Sequence, residues 1–347
     1  MSMNANPRAC QEVYVNSSQN LQDSQWYADT LSRDLLIDTD TASDDAVALI
    51  MALRNPSVFV RAITTVAGNV PVAQATRNAL YVAQLCGSDV PVYQGAARPL
   101  WREHAHAEWF HGKDGLGDHG YPAPARAAEP GNAADAIIAA IEQHPGIVVV
   151  TLGPLTNMAV ALAKAPDIAA KVGRCVVMGG NPCCEGNVTP AAEYNMWVDP
   201  EAARIVLRSG LPVELAGWHL CRGEAVLGAA DIEHVLSLNT PLARFAVECN
   251  SRAMDAYRIQ TGELGISLPD PVAMSIALDP VVCTQLSSHY VDVEVSSELT
   301  RGMTVVDRLN VSGDERNSPV WRGTLQAQVV WTIDNERWKQ ALYAALG

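Results

Sequence analysis

From Leu35 onward, short apolar runs rich in β-branched residues alternate with stretches whose apolar positions recur at helical spacing. Leu35-Leu36-Ile37, Val58 to Val66, Val90 to Tyr93, Ile147 to Thr151, Cys175 to Met178 and Val213 to Ala216 read as strands. Helices are expected across Ala46 to Leu53, about Val72 to Leu85, near Ala133 to Ile141, near Thr156 to Lys164 and near Pro200 to Leu207. The strands are almost continuously apolar instead of alternating, which is the pattern of a parallel sheet covered on both faces. The expected fold is therefore α/β: a single domain with a mostly parallel, doubly wound central sheet and helical inserts. Right-handed crossovers place the C-terminal ends of all parallel strands on one edge, and ligands bind at that edge.

Two segments break the rhythm. Residues 96–131 are rich in Gly, Pro, His and Trp and read as a loop or lid. Residues 222–268 read as two or three helices that end in the loop Thr261-Gly262-Glu263-Leu264-Gly265. Residues 1–33 are polar, without strong periodicity, and read as an extension preceding a domain over residues 34–347.

Composition narrows the class. Of the 347 residues 48% are apolar and 18% charged, enough to build a large core. Lys plus Arg number 24 against 38 Asp plus Glu, a net charge of −14. A protein that holds a nucleic-acid polymer needs a basic face, and none is visible here, so no nucleic-acid partner is expected. No apolar run approaches a membrane span, and no stretch near the start suits a signal peptide. The eight cysteines are scattered without a CxxC pair, the usage of a reduced cytosolic protein, so the cytoplasm is the expected location.

The chemistry concentrates after the first strand, in Asp38-Thr39-Asp40-Thr41-Ala42-Ser43-Asp44-Asp45. One or two acids at a strand-to-helix turn can cap the helix. Four within eight residues cannot all be buried without a neutralising cation, and all-oxygen ligands suit hard Ca²⁺ or Mg²⁺.

This Asp-x-Asp-x-x-x-Asp-Asp run resembles the fingerprint of the nucleoside hydrolases, the calcium-dependent N-ribohydrolases also called inosine-uridine preferring. The resemblance continues in order through Val66-Ala67-Gly68-Asn69, His111-Gly112-Lys113-Asp114-Gly115-Leu116 and Leu152-Gly153-Pro154-Leu155-Thr156-Asn157. It persists in Val177-Met178-Gly179-Gly180, Gly186-Asn187, Glu193-Tyr194-Asn195 and Asp270-Pro271, and spans about residues 34 to 345. It implies hydrolysis of a ribonucleoside to ribose and free base, with Ca²⁺ held by Asp40, Asp45, the Leu152 carbonyl and Asp270. It further implies Asp44 as the group that takes the water's proton, and Asn69, Asn187, Glu193 and Asn195 as ribose contacts with Met178 against the ring. Asp38 is expected to orient ligands from behind. A homo-oligomer, dimer or tetramer, is implied as well. Such a reaction passes through an oxocarbenium-like state, so a site must place water, hold the sugar hydroxyls and stabilise the departing base.

The chain departs from the family pattern at Pro269, where many members carry His or Trp before the Asp-Pro motif. Proline neither donates a proton nor stacks as an indole does. Leaving-group activation is therefore expected from His111, from Trp218, His219 and Arg222 after the sixth strand, or from Tyr257. His104, His106, His111 and His119 match no tetrahedral zinc spacing, and Cys183-Cys184 reads as packing. Two rival readings compete. Leu35 to Thr41 also fits the first motif of haloacid dehalogenase-type phosphatases, with Asp38 as nucleophile and Mg²⁺. A non-catalytic calcium scaffold would use the acids but has no task for Asp44.

Overall fold

A computed structural model describes residues 34–317 and 326–347. The expected extension, residues 1–33, lies outside the described residues. Ten strands follow in chain order: β1 (Asp34–Thr39), β2 (Phe59–Thr65), β3 (Val92–Gln94), β4 (Val148–Thr151), β5 (Arg174–Met178), β6 (Val213–Ala216), β7 (Cys283–His289), β8 (Val291–Val293), β9 (Thr304–Val306) and β10 (Ala327–Ile333). Eight form one sheet in the order β3-β2-β1-β4-β5-β6-β10-β7, while β8 and β9 form a separate antiparallel pair. Every neighbour in the large sheet is parallel except β7 against β10. The antiparallel edge was absent from the sequence pattern, because β7 (CTQLSSH) mixes polar and apolar positions and is only partly buried.

The continuous apolarity of the inner strands has the predicted cause. Alternate side chains leave a strand on opposite faces, and both faces are covered. Leu35 and Ile37 join one core cluster with the Ser43–Arg54, Val72–Leu85, Pro269–Leu278 and Asn335–Leu346 helices. Leu36 joins the other with the Ala133–Gln143, Thr156–Lys164 and Pro200–Leu207 helices. The 222–268 insert forms three helices, Ala229–Ser237, Pro241–Glu248 and Ser251–Thr261. The 96–131 insert is loop apart from the short helix Glu108–His111.

One charged pair is buried inside the sheet. Arg174 of β5 donates twice to Glu214 of β6 at 2.7 Å, and its remaining N–H groups reach the Ile276 and Ala277 carbonyls. Those carbonyls end the helix that carries Asp270 at its start, so the pair ties that helix to the sheet. A buried ion pair is tolerable when its geometry is good and further hydrogen bonds support the charges, as the two helix carbonyls do for Arg174.

Candidate active site

Chain order reverses between β1 and β4, and β1 stands centrally with β2 on its other side. This is the topological switch point, where the crossovers diverge and leave a crevice beyond the strand ends. The residues after β1 and β4 are Asp40 to Asp45 and Leu152. The acidic turn is thus delivered to the crevice by topology.

All the acids of this turn are buried: Asp38, Asp40, Asp44 and Asp45, together with Asp270 from the Pro269–Leu278 helix. Carboxylate oxygens of Asp44, Asp45 and Asp270 lie within 4.8 Å of one another. Asp45 partly fulfils the capping role, since it accepts from the Ala42 N–H at 2.9 Å and also from the Thr39 hydroxyl. Asp40 Oδ2 accepts from the Asn69 N–H at 2.6 Å, but its Oδ1 and Asp44 Oδ1 are buried with no hydrogen-bond partner among the described residues. Burial, and then the neighbouring carboxylates, push Asp40 and Asp270 well above the carboxylate range. Burial raises Asp44 to about 6, and burial with the Asp44 charge raises Asp45 to about 6. Orphaned oxygens and crowded like charges in a buried site fit a hard divalent cation as partner. Two glycines make the room. A Cβ at Gly68 would collide with Asp40 Oδ2, and one at Gly153 would stand 2.7 Å from Asp40 Oδ1.

Asp38 stands behind this group. Its Oδ1 accepts from Thr64 Oγ1 at 2.6 Å and Asn157 Nδ2 at 2.8 Å, and burial raises it to about 7 despite both bonds. Two imidazoles brace the opposite side: His104 Nε2 and His106 Nδ1 both lie within 3.0 Å of the Gly68 carbonyl. His119 goes instead to the Glu248 carbonyl and Ser251. The four histidines form no metal cluster among the described residues.

Above the acids a cleft encloses about 90 Å³, lined by Asp44, Asp270, Leu152 and the expected sugar contacts Asn69, Met178, Asn187, Glu193 and Asn195. A larger open hollow of about 520 Å³ near Arg204 and Arg208 lies on other residues and contains no clustered acid. Glu193 is the N-cap of the Tyr194–Val198 helix, its carboxylate accepting from the Asn195 and Met196 N–H groups and, at 2.7 Å, from Gly180. Asn195 Nδ2 donates to the Leu152 carbonyl at 2.9 Å, which joins the sugar side of the cleft to the carbonyl expected at the ion. Asn187 Oδ1 accepts from the Tyr194 N–H at 2.9 Å, leaving its amide N–H groups without a partner among the described residues.

The expected leaving-group residues divide. His111 and Trp218 line the cleft. His111 Nδ1 meets Ser43 Oγ at 2.8 Å, and burial pushes the ring down to about 4. His219, Arg222 and Tyr257 do not line the cleft. The Trp218–Cys221 turn sends His219 toward the Val330 carbonyl, 2.9 Å from Nε2. Arg222 pairs with Glu185, and the Tyr257 hydroxyl donates to Glu263 at 2.9 Å. The sequence reading missed Trp109, Phe110, Tyr194 and Gln260, all in the cleft wall. Tyr194 stood between two expected contacts, and Trp109-Phe110 directly preceded His111, so proximity to named residues was the available signal.

Comparison with known proteins gives first the class: N-glycosyl hydrolases that split ribonucleosides into ribose and base. The chain is 38% identical to the pyrimidine-specific ribonucleoside hydrolase RihA of Salmonella paratyphi A over 289 residues, which cover 82% of this chain and 92% of that protein. It is 32% identical to a solved purine-preferring ribonucleoside hydrolase from Gardnerella vaginalis, covering 90% of this chain and 98% of that one with a TM-score of 0.81. A solved plant nucleoside hydrolase, PpNRh1, matches at 32% identity over 90% of this chain and 98% of that one, with a TM-score of 0.84. The chain belongs to the inosine-uridine preferring nucleoside hydrolase family, whose model matches residues 35–340. The phosphatase reading is not supported: Asp38, its nucleophile, is sealed behind the cleft against Thr64 and Asn157. No helix among the described residues is long and apolar enough to cross a membrane.

Proposed function

We propose that this hydrolase works with one Ca²⁺ held by Asp40, Asp45, the Leu152 carbonyl and Asp270, and with Asp44 as general base. The observation that carries the reading is that two buried carboxylate oxygens, Asp40 Oδ1 and Asp44 Oδ1, have no hydrogen-bond partner among the described residues. Bound there, the ion supplies a template for the sugar hydroxyls and lowers the pKa of the attacking water. Asp44 accepts the proton of that water. Asn69, Asn187, Glu193 and Asn195 hold the ribose by hydrogen bonds, with Met178 against the ring. The fixed partners of Glu193 and Asn195 leave little to reorganise as charge develops on the sugar. His111 and Trp218 attend the departing base, the first as hydrogen-bond donor and the second as an apolar face. A homo-oligomer in the cytoplasm belongs to the same reading.

A base-release screen tests it. Purified protein with Ca²⁺ should liberate ribose and free base from at least one of inosine, guanosine, adenosine, uridine and cytidine, and no phosphate from p-nitrophenyl phosphate. Failure to cleave any ribonucleoside, with phosphate released, would reverse the conclusion.

A further inference from the structure

Ser43 has no role in the mechanism above, yet it is fully buried against the cleft wall. It opens the Ser43–Arg54 helix, and its carbonyl accepts from Asn250 Nδ2 at 3.2 Å, which fixes the turn. Its hydroxyl lies 2.8 Å from His111 Nδ1, its one side-chain partner among the described residues. Which atom donates follows from satisfaction. If Nδ1 carried the hydrogen, the hydroxyl hydrogen of Ser43, which is fully buried, would have no acceptor among the described residues, a costly arrangement. Asp44 Oδ1 does not compete for a hydrogen on Nδ1, because 3.8 Å is too long for a hydrogen bond. Ser43 therefore donates to Nδ1, and an imidazole whose Nδ1 accepts carries its hydrogen on Nε2. Nε2 has no hydrogen-bond partner among the described residues and is not among the sealed orphan atoms, so it is the ring nitrogen left toward the cleft.

We propose that Ser43 is a positioning residue that fixes His111 as an Nε2–H donor aimed at the departing base. This rests on the reading that His111 attends the base. The acceptor it would meet is pyrimidine O2 or a purine ring nitrogen. When the C–N bond breaks, its electron pair leaves with the base, the Nε2–H group stabilises the charge there, and the base regains a proton from solvent. Hydroxide from the attacking water completes the ribose. Pro269, which also lines the cleft, has no hydrogen to give, so the serine–histidine pair takes over the task.

Ser43→Ala, Ser43→Thr and His111→Ala are compared on uridine, inosine and p-nitrophenyl riboside, whose phenolate needs no such help. Ser43→Ala should lower kcat on the better natural nucleoside about 10-fold or more with KM little changed, while nitrophenyl riboside falls less than about 3-fold. Ser43→Thr, which keeps the hydroxyl, should recover most of the loss. Nitrogen-15 spectra of the parent should show His111 Nδ1 unprotonated and Nε2 protonated, a pattern that Ser43→Ala blurs. Equal losses on both substrate types, a parent ring protonated at Nδ1, or parental rates in Ser43→Ala while His111→Ala is slow, would each overturn the inference alone. Parental rates on every natural nucleoside in His111→Ala would overturn the leaving-group reading and the inference with it.

Discussion

Asp44→Asn should abolish cleavage of every substrate, natural or activated. Asp44 is buried, its Oδ1 has no hydrogen-bond partner among the described residues, and a carboxylate oxygen lies within the cluster formed with Asp45 and Asp270. Asparagine keeps the size and one oxygen but cannot take a proton from water. Loss of a positioned general base costs about 10²- to 10⁴-fold, and no leaving group, however good, replaces deprotonation of the nucleophile. Inosine and p-nitrophenyl riboside should therefore fall together, in contrast to the substrate-selective losses expected at Ser43 and His111. Stopped assays with both substrates check this. Nitrophenyl riboside cleaved by Asp44→Asn at the parent rate would remove Asp44 from the water's side of the reaction.

Ribonucleosides lacking the 2′-hydroxyl should be nearly inert. The cleft is lined by Asp270, Leu152, Asn69 and Asn195, whose polar groups suit a vicinal diol but not a methylene. A buried site built to bind a hydroxyl leaves its own polar groups unpaired when that hydroxyl is missing, a penalty that reaches about 10⁴-fold. Comparison of kcat/KM for inosine with 2′-deoxyinosine, and for uridine with 2′-deoxyuridine, gives the ratio directly. Equal turnover would move the ion away from the sugar.

Much of this architecture was legible because the inner strands are buried on both faces and the helices are amphipathic. The Val72–Leu85, Thr156–Lys164 and Pro200–Leu207 helices and strand Val213–Ala216 have the ends that the sequence suggests. The acidic turn was legible for an electrostatic reason: Asp40, Asp44 and Asp45 follow one strand and have no paired cations. The far wall of the cleft was less so. Trp218 and His219 are adjacent in sequence, but the turn between Gly217 and Arg222 gives one to the cleft and the other to the Val330 carbonyl. Tyr257 is directed to Glu263, while Gln260, one helical turn on, faces the cleft. Trp109 and Phe110 belong to an insert without periodicity, whose path is set by tertiary contacts such as the Ala107 N–H to the Asn69 carbonyl at 3.0 Å. Side-chain direction at such sites depends on the turn, which adjacency in sequence does not by itself fix.

The most direct test of the central claim is calcium titration of chelator-stripped protein, followed by ribose release from inosine or uridine. The stripped protein should be inactive, and activity should rise with Ca²⁺ and saturate at one bound ion per chain. Full activity in the stripped protein, with no Ca²⁺ bound on titration, would contradict the account.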